Sequence, residues 1–326
     1  MLSNKIIFIS ALDWGLGHAT RCVPIILNLQ KNNTIIIGIT PLTKLIFEDE
    51  LPHLKKITLP AYNITYSKTI PIWLKLVFNW YKILKVIQQE KKQLEEIISQ
   101  NKIDVVISDN RFGLYSKKIH SIFITHQLFL KTPFANSFIQ NINKKYILNF
   151  NEVWIPDNEN ESLSLSGSLS HGSHFHSNII YIGALSRLTK SNYSEPLYDY
   201  LFLISGPEPQ QTLLINLVLQ KASQNPNLKF AMVYTNNVAY RAENVTLINL
   251  PNSSQLSETI SKSKKIICRS GYSTIMDLYE LQINFRNVIF VPTPSQTEQE
   301  YLANYLMNKF GSVVISQKLF SQKKLQ

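Results

Sequence analysis

The sequence predicts an α/β fold built from two doubly wound, Rossmann-like domains facing a cleft. Three observations lead there. Short continuous runs of Ile, Val and Phe alternate with longer stretches of helical spacing, the pattern of parallel strands covered on both faces. A length of 326 residues suits two domains of ordinary size, each burying its own core. Near each end, an apolar run leads into a glycine-containing turn that opens a helix. The first is Ile6-Ile7-Phe8-Ile9, followed by Asp13-Trp14-Gly15-Leu16-Gly17-His18. The second is Lys265-Ile266-Ile267-Cys268, followed by Arg269-Ser270-Gly271-Tyr272-Ser273-Thr274 and Ile275-Met276-Asp277-Leu278. Each places backbone N–H groups and the positive end of a helix dipole at one edge of a sheet. Two such sites suit a phosphorylated ligand shared between the domains.

In chain order, strands are expected over 5–11, 34–39, 56–59, 104–108, 121–125 and 152–155. They continue over 179–182, 200–205, 229–233, 245–248, 265–268 and 288–291. Helices are expected between them, including 20–30, 72–100, 210–222, 273–281 and 297–309. This alternation indicates two doubly wound sheets. The stretch 157–178 is rich in Ser, Gly, His and Asn and reads as a surface loop. The interdomain connection is expected within 183–196, which sets the domains at 1–185 and 186–326.

Composition narrows the function. The chain is 44% hydrophobic, with 11% aromatic residues, as a globular protein is. Its two cysteines, Cys22 and Cys268, lie far apart, match no zinc spacing or disulfide framework, and fit a reducing compartment. The N-terminal apolar run is too short for a signal peptide, and no segment approaches the roughly 20 apolar residues of a membrane span. A cytoplasmic location is therefore expected. The net charge is +11 and unevenly spread. Residues 51–89 hold six lysines and no acid; residues 111–151 hold five lysines, one arginine and no acid. An anionic small substrate and an anionic membrane surface are both open readings. With no RNA-binding or helix-turn-helix signature, nucleic acid is not expected.

At the first turn, Gly15 and Gly17 allow a ligand close to the backbone. His18 has a titration range suited to taking a proton from a hydroxyl, and Asp13 is near enough in sequence to orient it. A plain strand–turn–helix corner is the alternative. Asp109-Asn110-Arg111 and His126-Gln127 each follow an apolar strand and map to the same sheet edge, so Arg111, His126 and Gln127 are candidate acceptor-side groups. Asp109 is the reserve base. At the second turn, Gly271 permits a tight bend, and Ser270, Ser273 and Thr274 offer hydroxyls to phosphate oxygens. Asp277 lies one helical turn after Ser273 and can accept two ribose hydroxyls. A Ser/Thr cap for the helix is compatible with this. Ser205-Gly206 forms a third glycine turn. Glu298 and Gln299 follow a polar loop and can meet sugar hydroxyls; Thr297 with Glu300 reads equally as a capping box. His171, His174 and His176 lack carboxylate or cysteine support, so no metal site is expected. Trp73, Phe78, Trp80 and Tyr81 share a helical segment with Lys75, Asn79, Lys82 and Lys85. It reads either as a membrane-surface helix or as a packed helix with a solvated face.

These residues together resemble the two-domain GT-B glycosyltransferases. They are similar to the peptidoglycan lipid-intermediate N-acetylglucosaminyltransferases and the glycosyltransferase-like proteins close to them. The resemblance is carried by Gly15-x-Gly17-His18, Ser205-Gly206, Arg269 through Asp277-Leu278, and Pro292 through Glu298-Gln299 to Ala303-Asn304. It implies a nucleoside-diphosphate sugar, expected to be UDP-linked, held by the C-terminal domain. Gly206, Arg269, Ser270, Gly271, Tyr272, Ser273 and Thr274 would lie at the diphosphate, Asp277 at the ribose, and Glu298 and Gln299 at the sugar. The acceptor, a lipid-linked one included, would enter from the N-terminal domain. Transfer would proceed with inversion and with no metal or other cofactor; a peripheral place at the inner face of a membrane is the reading that the basic stretches leave open beside a plain cytoplasmic one. The chain departs from the family at Trp14 and at Asp277, where relatives often carry Glu. The alternatives are a nucleotide-sugar 2-epimerase and a sugar-nucleotide-binding protein without catalysis.

Overall fold

The computed structural model describes residues 2–63, 80–132, 136–173, 175–176, 178–190, 195–206, 208–235 and 242–322. The chain divides between Arg187 and Leu188 into two compact units.

The first unit is a parallel sheet of seven strands: β1 (Ile6–Ala11), β2 (Thr34–Ile39), β3 (Lys55–Thr58), β4 (Val105–Asp109), β5 (His120–Ile124), β6 (Glu152–Ile155) and β7 (Ile179–Tyr181). Their order is β3-β2-β1-β4-β5-β6-β7. The helices are α1 (Leu16–Leu29), α2 (Pro41–Glu50), α3 (Trp80–Asn101) and α4 (Asn136–Ile147). The central strands read as unbroken apolar runs because both faces are covered. In β1, Ile7, Ile9 and Ala11 pack on one side with Ala19, Cys22, Val23 and Ile26 of α1. Phe8 packs on the other side with Leu94 and Ile97 of α3. The buried positions of α3 are Ile83, Ile87, Glu90, Leu94 and Ile97, spaced three and four apart as one helical stripe requires. Gly38 in β2 lets β1 approach: a Cβ there would stand 2.7 Å from both Leu59 and Phe8.

The second unit is a parallel sheet of six strands: β8 (Tyr198–Leu203), β9 (Phe230–Tyr234), β10 (Val245–Asn249), β11 (Ser263–Cys268), β12 (Val288–Phe290) and β13 (Val313–Val314). Their order is β10-β9-β8-β11-β12-β13. Its helices are α5 (Gln210–Ser223), α6 (Ser253–Ser261), α7 (Tyr272–Glu280), α8 (Thr297–Phe310) and α9 (Gln317–Gln322). Phe202 and Ile204 pack with Leu214, Val218 and Ala222 of α5 and with Phe320 of α9.

All twelve expected strands are present, within two residues at each end. The two-residue β13 was not anticipated; a pair of valines carries no periodicity. α1 starts four residues earlier than expected, at Leu16, which puts His18 in its first turn. The stretch after β6 is more than a surface loop. It folds around the fully buried Asp157, whose oxygens accept from Ser164 Oγ at 2.6 Å, Ser166 N at 3.0 Å and Leu165 N at 2.8 Å. Buried Ser164, Ser166 and Ser170 are the polar residues that satisfy this carboxylate, and composition alone does not reveal that. Of the aromatic segment, Trp73, Lys75, Phe78 and Asn79 lie outside the described residues. From Trp80 onward Ile83 and Ile87 face the core, while Trp80, Tyr81, Lys82 and Lys85 are exposed.

Candidate active site

In both sheets the chain leaves one central strand toward one edge and the next central strand toward the other. Doubly wound sheets bind ligands outside the carboxyl ends of the strands at this switch. In the first unit the switch lies between β1 and β4, where Ala11 pairs with Asp109. The turn after Ala11 carries α1 over the end of β4. His18 Nδ1 therefore stands 2.8 Å from Asp109 Oδ1. Three residues further along the same helix face, Arg21 meets the carboxylate with two nitrogens. Nε donates to Oδ2 at 2.5 Å and Nη2 donates to Oδ1. Arg21 Nη1 also donates to His126 Nδ1 at 3.1 Å, just past β5, and His126 Nε2 lies 3.3 Å from the amide of Gln127.

Asp109 is fully buried, as is the Arg21 side chain, while His18 keeps 20% of its side chain exposed. Burial alone would raise the Asp109 carboxyl, but Arg21 and His18 outweigh it and hold it well below the usual carboxylate range. Cys22 Sγ completes the surroundings at 3.5 Å, its thiol pushed well up by burial and by Asp109. Enclosed in this way, the Asp109 carboxylate is held in its ionised form. Of the two residues expected as base, Asp109 is the enclosed one and His18 the partly exposed one.

Asp13 does not orient His18. Its oxygens accept the Tyr62 N–H at 3.1 and 3.4 Å. Arg111, expected on the acceptor side, is fully buried. Nε donates to Glu90 Oε1 at 2.7 Å, and its other nitrogens bond Ala11 O and Pro60 O. Glu90, the acid that ends the first acid-free stretch, sits in the apolar stripe of α3 and also accepts from Tyr62 OH at 2.9 Å. This ion pair ties α3 to the sheet edge and leaves no guanidinium for a ligand. Gly15 has open space where a Cβ would be; Gly17, in the first turn of α1, accepts from Thr20 Oγ1 at 3.0 Å.

In the second unit the switch lies between β8 and β11, where Leu203 pairs with Cys268. The Ser205-Gly206 turn and the Arg269-Ser270-Gly271 turn therefore share one edge. Gly206 has φ +96°, a conformation side chains resist, and open space in front of it. Gly271 adopts an ordinary φ of −73°, also with nothing within 4 Å of a Cβ. Glycine at 271 thus supplies room for close approach rather than a bend. Gly271 caps α7 without a side-chain hydrogen bond, so the expected Ser/Thr cap is not formed. Ser273 and Asp277, half-buried, share one face of α7, with Thr274 beside them; Tyr272 is buried.

Two expected phosphate ligands turn inward instead. Arg269 is almost wholly buried; Nη1 donates to Val291 O at 2.9 Å and Nη2 to Gln317 Oε1 at 2.7 Å. Burial draws its pKa down to about 10. Ser270 Oγ donates to the backbone oxygen of Gln299 at 2.7 Å, and Gln299 Oε1 accepts from Thr293 N at 2.9 Å. These bonds fix the β12–α8 loop against β11. The expected Thr297–Glu300 capping box is also replaced: Gln296 is the cap residue, and Glu300 accepts from Ser295 N at 3.1 Å. Glu298, in the first turn of α8, is half-buried.

Among the described residues, no three His, Cys, Asp or Glu side chains gather to hold a metal ion. His171 stacks on Tyr181, His176 bonds Phe150 O at 2.9 Å, and His174 lies outside the described residues. No described helix is long and apolar enough to cross a membrane. The residues that sequence reading overlooked are Arg21 and Glu90. The first was legible as His-x-x-Arg on one helix face, the second as a lone acid in an apolar stripe.

The two parallel sheets with alternating helices define the GT-B fold, and known structures agree. Arabidopsis thaliana UGT89C1 complexed with UDP-L-rhamnose superimposes with a TM-score of 0.65 at 9% identity, over 98% of this chain and 89% of the other. MurG of Acinetobacter baumannii gives 0.55 at 14% identity, over 98% and 89%. A putative UDP-N-acetylglucosamine 2-epimerase from Listeria monocytogenes gives 0.56 at 13%, over 98% and 90%. At such identities the likeness is one of fold. Residues 202–326 match the glycosyltransferase family 28 C-terminal domain. That match sets the enzyme class as glycosyltransferase. Among curated proteins, no sequence matches the chain.

Proposed function

We propose that this enzyme moves a sugar from a UDP-sugar to an acceptor hydroxyl, with inversion and without a bound metal. The observation that carries the reading is the His18–Asp109 contact of 2.8 Å at the switch point of the first sheet. His18 Nδ1 faces both Asp109 Oδ1 and, at 3.0 Å, Arg21 Nη2; in this scheme the nearer carboxylate holds the proton on Nδ1, which leaves Nε2 as the basic ring nitrogen. Nε2 takes the proton of the acceptor hydroxyl as its oxygen bonds the anomeric carbon. The bond from that carbon to the diphosphate breaks, and UDP leaves with the electron pair. One displacement inverts the anomeric centre.

The second unit holds the donor in this scheme. The backbone at Gly206 and Gly271 and the start of α7 take the diphosphate, where N–H groups and the helix dipole stabilise the leaving group in place of a cation. The sequence has no Asp-x-Asp pair. Asp277 takes the ribose, and Glu298 lies by the sugar, while buried Gln299 holds the loop beside it through Thr293 N. In the first unit, exposed Trp80, Tyr81, Lys82 and Lys85 suit an anionic membrane face, which fits a lipid-linked acceptor.

Product analysis tests the reaction class. Incubation with UDP-sugars and a membrane lipid extract should give glycosylated lipid and UDP, with no sugar change when the extract is omitted. Epimerised UDP-sugar without acceptor would replace the transferase reading by the epimerase one, the reaction named for the Listeria neighbour. An unchanged nucleotide sugar under both conditions would leave a binding protein.

A further inference from the structure

Among the described residues, Arg21, Arg111 and Arg269 are almost fully buried. Two of them meet a carboxylate: Arg21 pairs with Asp109 and Arg111 with Glu90. Arg269 meets none. Its Nη1 donates to Val291 O at 2.9 Å and to Pro292 O at 3.2 Å, and its Nη2 donates to Gln317 Oε1 at 2.7 Å. Its Nε is buried with no hydrogen-bond partner. Every Asp and Glu of the chain lies among the described residues, so no acidic side chain is its counter-ion. Neutral carbonyls satisfy N–H groups but leave the charge uncompensated, and a buried charge without a partner is costly. The guanidinium also has a particular place. Arg269 follows Cys268, the last residue of β11, and precedes Ser270 and Gly271 at the sheet edge where Gly271 leaves open space.

We propose that Arg269 is a positioning residue whose counter-ion is the ligand: its field draws the donor's diphosphate onto the Gly206 and Gly271 turns, without the guanidinium touching a phosphate. The ligand class it selects is a nucleoside diphosphate. The two phosphates carry the charge of a sugar nucleotide, and at this edge the dipole of α7 adds to the guanidinium. A nucleoside without phosphate gains nothing from either. The same arginine clasps the β12–α8 loop through Val291 O and Pro292 O, and α9 through Gln317, so removing its side chain mixes two effects. Gln317 separates them, because its charge can be changed while Arg269 stays. The inference rests on the donor reading above, which puts the diphosphate at this edge.

Gln317→Glu sets a carboxylate against Arg269 Nη2 with little change of shape. The new pair should raise the unfolding temperature, since the guanidinium gains the partner it lacks, and should cancel its field at the turns. In calorimetry UDP affinity should fall about tenfold, the scale on which one charge acts across several ångströms of protein, while uridine affinity stays at the wild-type value. Gln317→Leu, which removes the bond without adding charge, should keep the wild-type ratio of UDP to uridine affinity. Arg269→Met should lower that ratio as Gln317→Glu does, and it decides the matter if Gln317→Glu fails to fold. A clasp with no electrostatic role predicts otherwise. An equal change for UDP and uridine in Gln317→Glu, or none, would overturn the inference while leaving the donor site in place. Wild type that binds no UDP would overturn the donor reading and the inference with it.

Discussion

Replacing Asp109 by Asn tests the electrostatic centre of the first unit. Asp109 and the Arg21 side chain are both essentially inaccessible to solvent, joined through Arg21 Nε and Nη2. Removing the negative charge leaves a buried guanidinium without a counter-ion, a change that costs about 3–5 kcal/mol. At about 2–4 °C per kcal/mol for a unit of this size, the first unit's Tm should fall by about 6–20 °C. Differential scanning calorimetry, with urea unfolding followed by circular dichroism, measures this. The two units can unfold separately, so the transition that moves must be assigned. The double variant Arg21→Met/Asp109→Leu supplies the control. With both charges gone and volume roughly kept, it should be more stable than Asp109→Asn, because replacing a whole buried pair by apolar groups is often neutral. A loss below about 1 kcal/mol in Asp109→Asn, the scale of an exposed pair, would refute the reasoning.

Three further outcomes are expected. Gly271→Ala should leave stability within about 0.5 kcal/mol of wild type, since its φ is ordinary and its surroundings open, yet weaken UDP binding in calorimetry; unchanged affinity would move the diphosphate elsewhere. The Asp157 carboxyl is held below its ordinary value: burial raises it, but the Ser164 and Ser166 hydroxyls and the Leu165 and Ser166 N–H groups prevail. Its stabilisation is thus present above the unfolded value of about 3.9 and lost as pH falls below it. Asp157→Asn should be less stable than wild type at pH 7, and that gap should narrow progressively as pH falls below about 3.9; a constant gap would contradict this. Binding to anionic vesicles should exceed binding to neutral ones and fall with salt, because ions screen surface charge, whereas equal partition would leave Trp80 and Tyr81 without a membrane role.

The architecture was legible because strand burial leaves a strong local mark. Runs such as Ile6–Ile9 are unbroken only when both faces are covered, and the two glycine turns located the sheet switch points. Partner choice was much less legible. Asp13 lies just past β1 and Asp109 ends β4 of the same sheet, and only the register of Ala11 against Asp109 shows which one meets His18. Arg111 and Arg269 looked like ligand-binding cations because their strand-end positions are right. Their side chains turn inward because carbonyls and, for Arg111, the Glu90 carboxylate lie within reach, contacts between residues 21 and 48 positions apart. The inward role of Asp157 was hidden for a related reason: serines that look like loop composition are its hydrogen-bond donors.

The central claim is that His18 removes the acceptor's proton while the other unit holds the donor. Turnover and donor affinity, measured together in His18→Ala, test it most directly. General base catalysis contributes about 10²–10⁴-fold, so turnover at saturating donor should fall by that factor while UDP-sugar affinity stays near wild type. Retained turnover with collapsed donor affinity would contradict the account and make His18 a donor-binding residue.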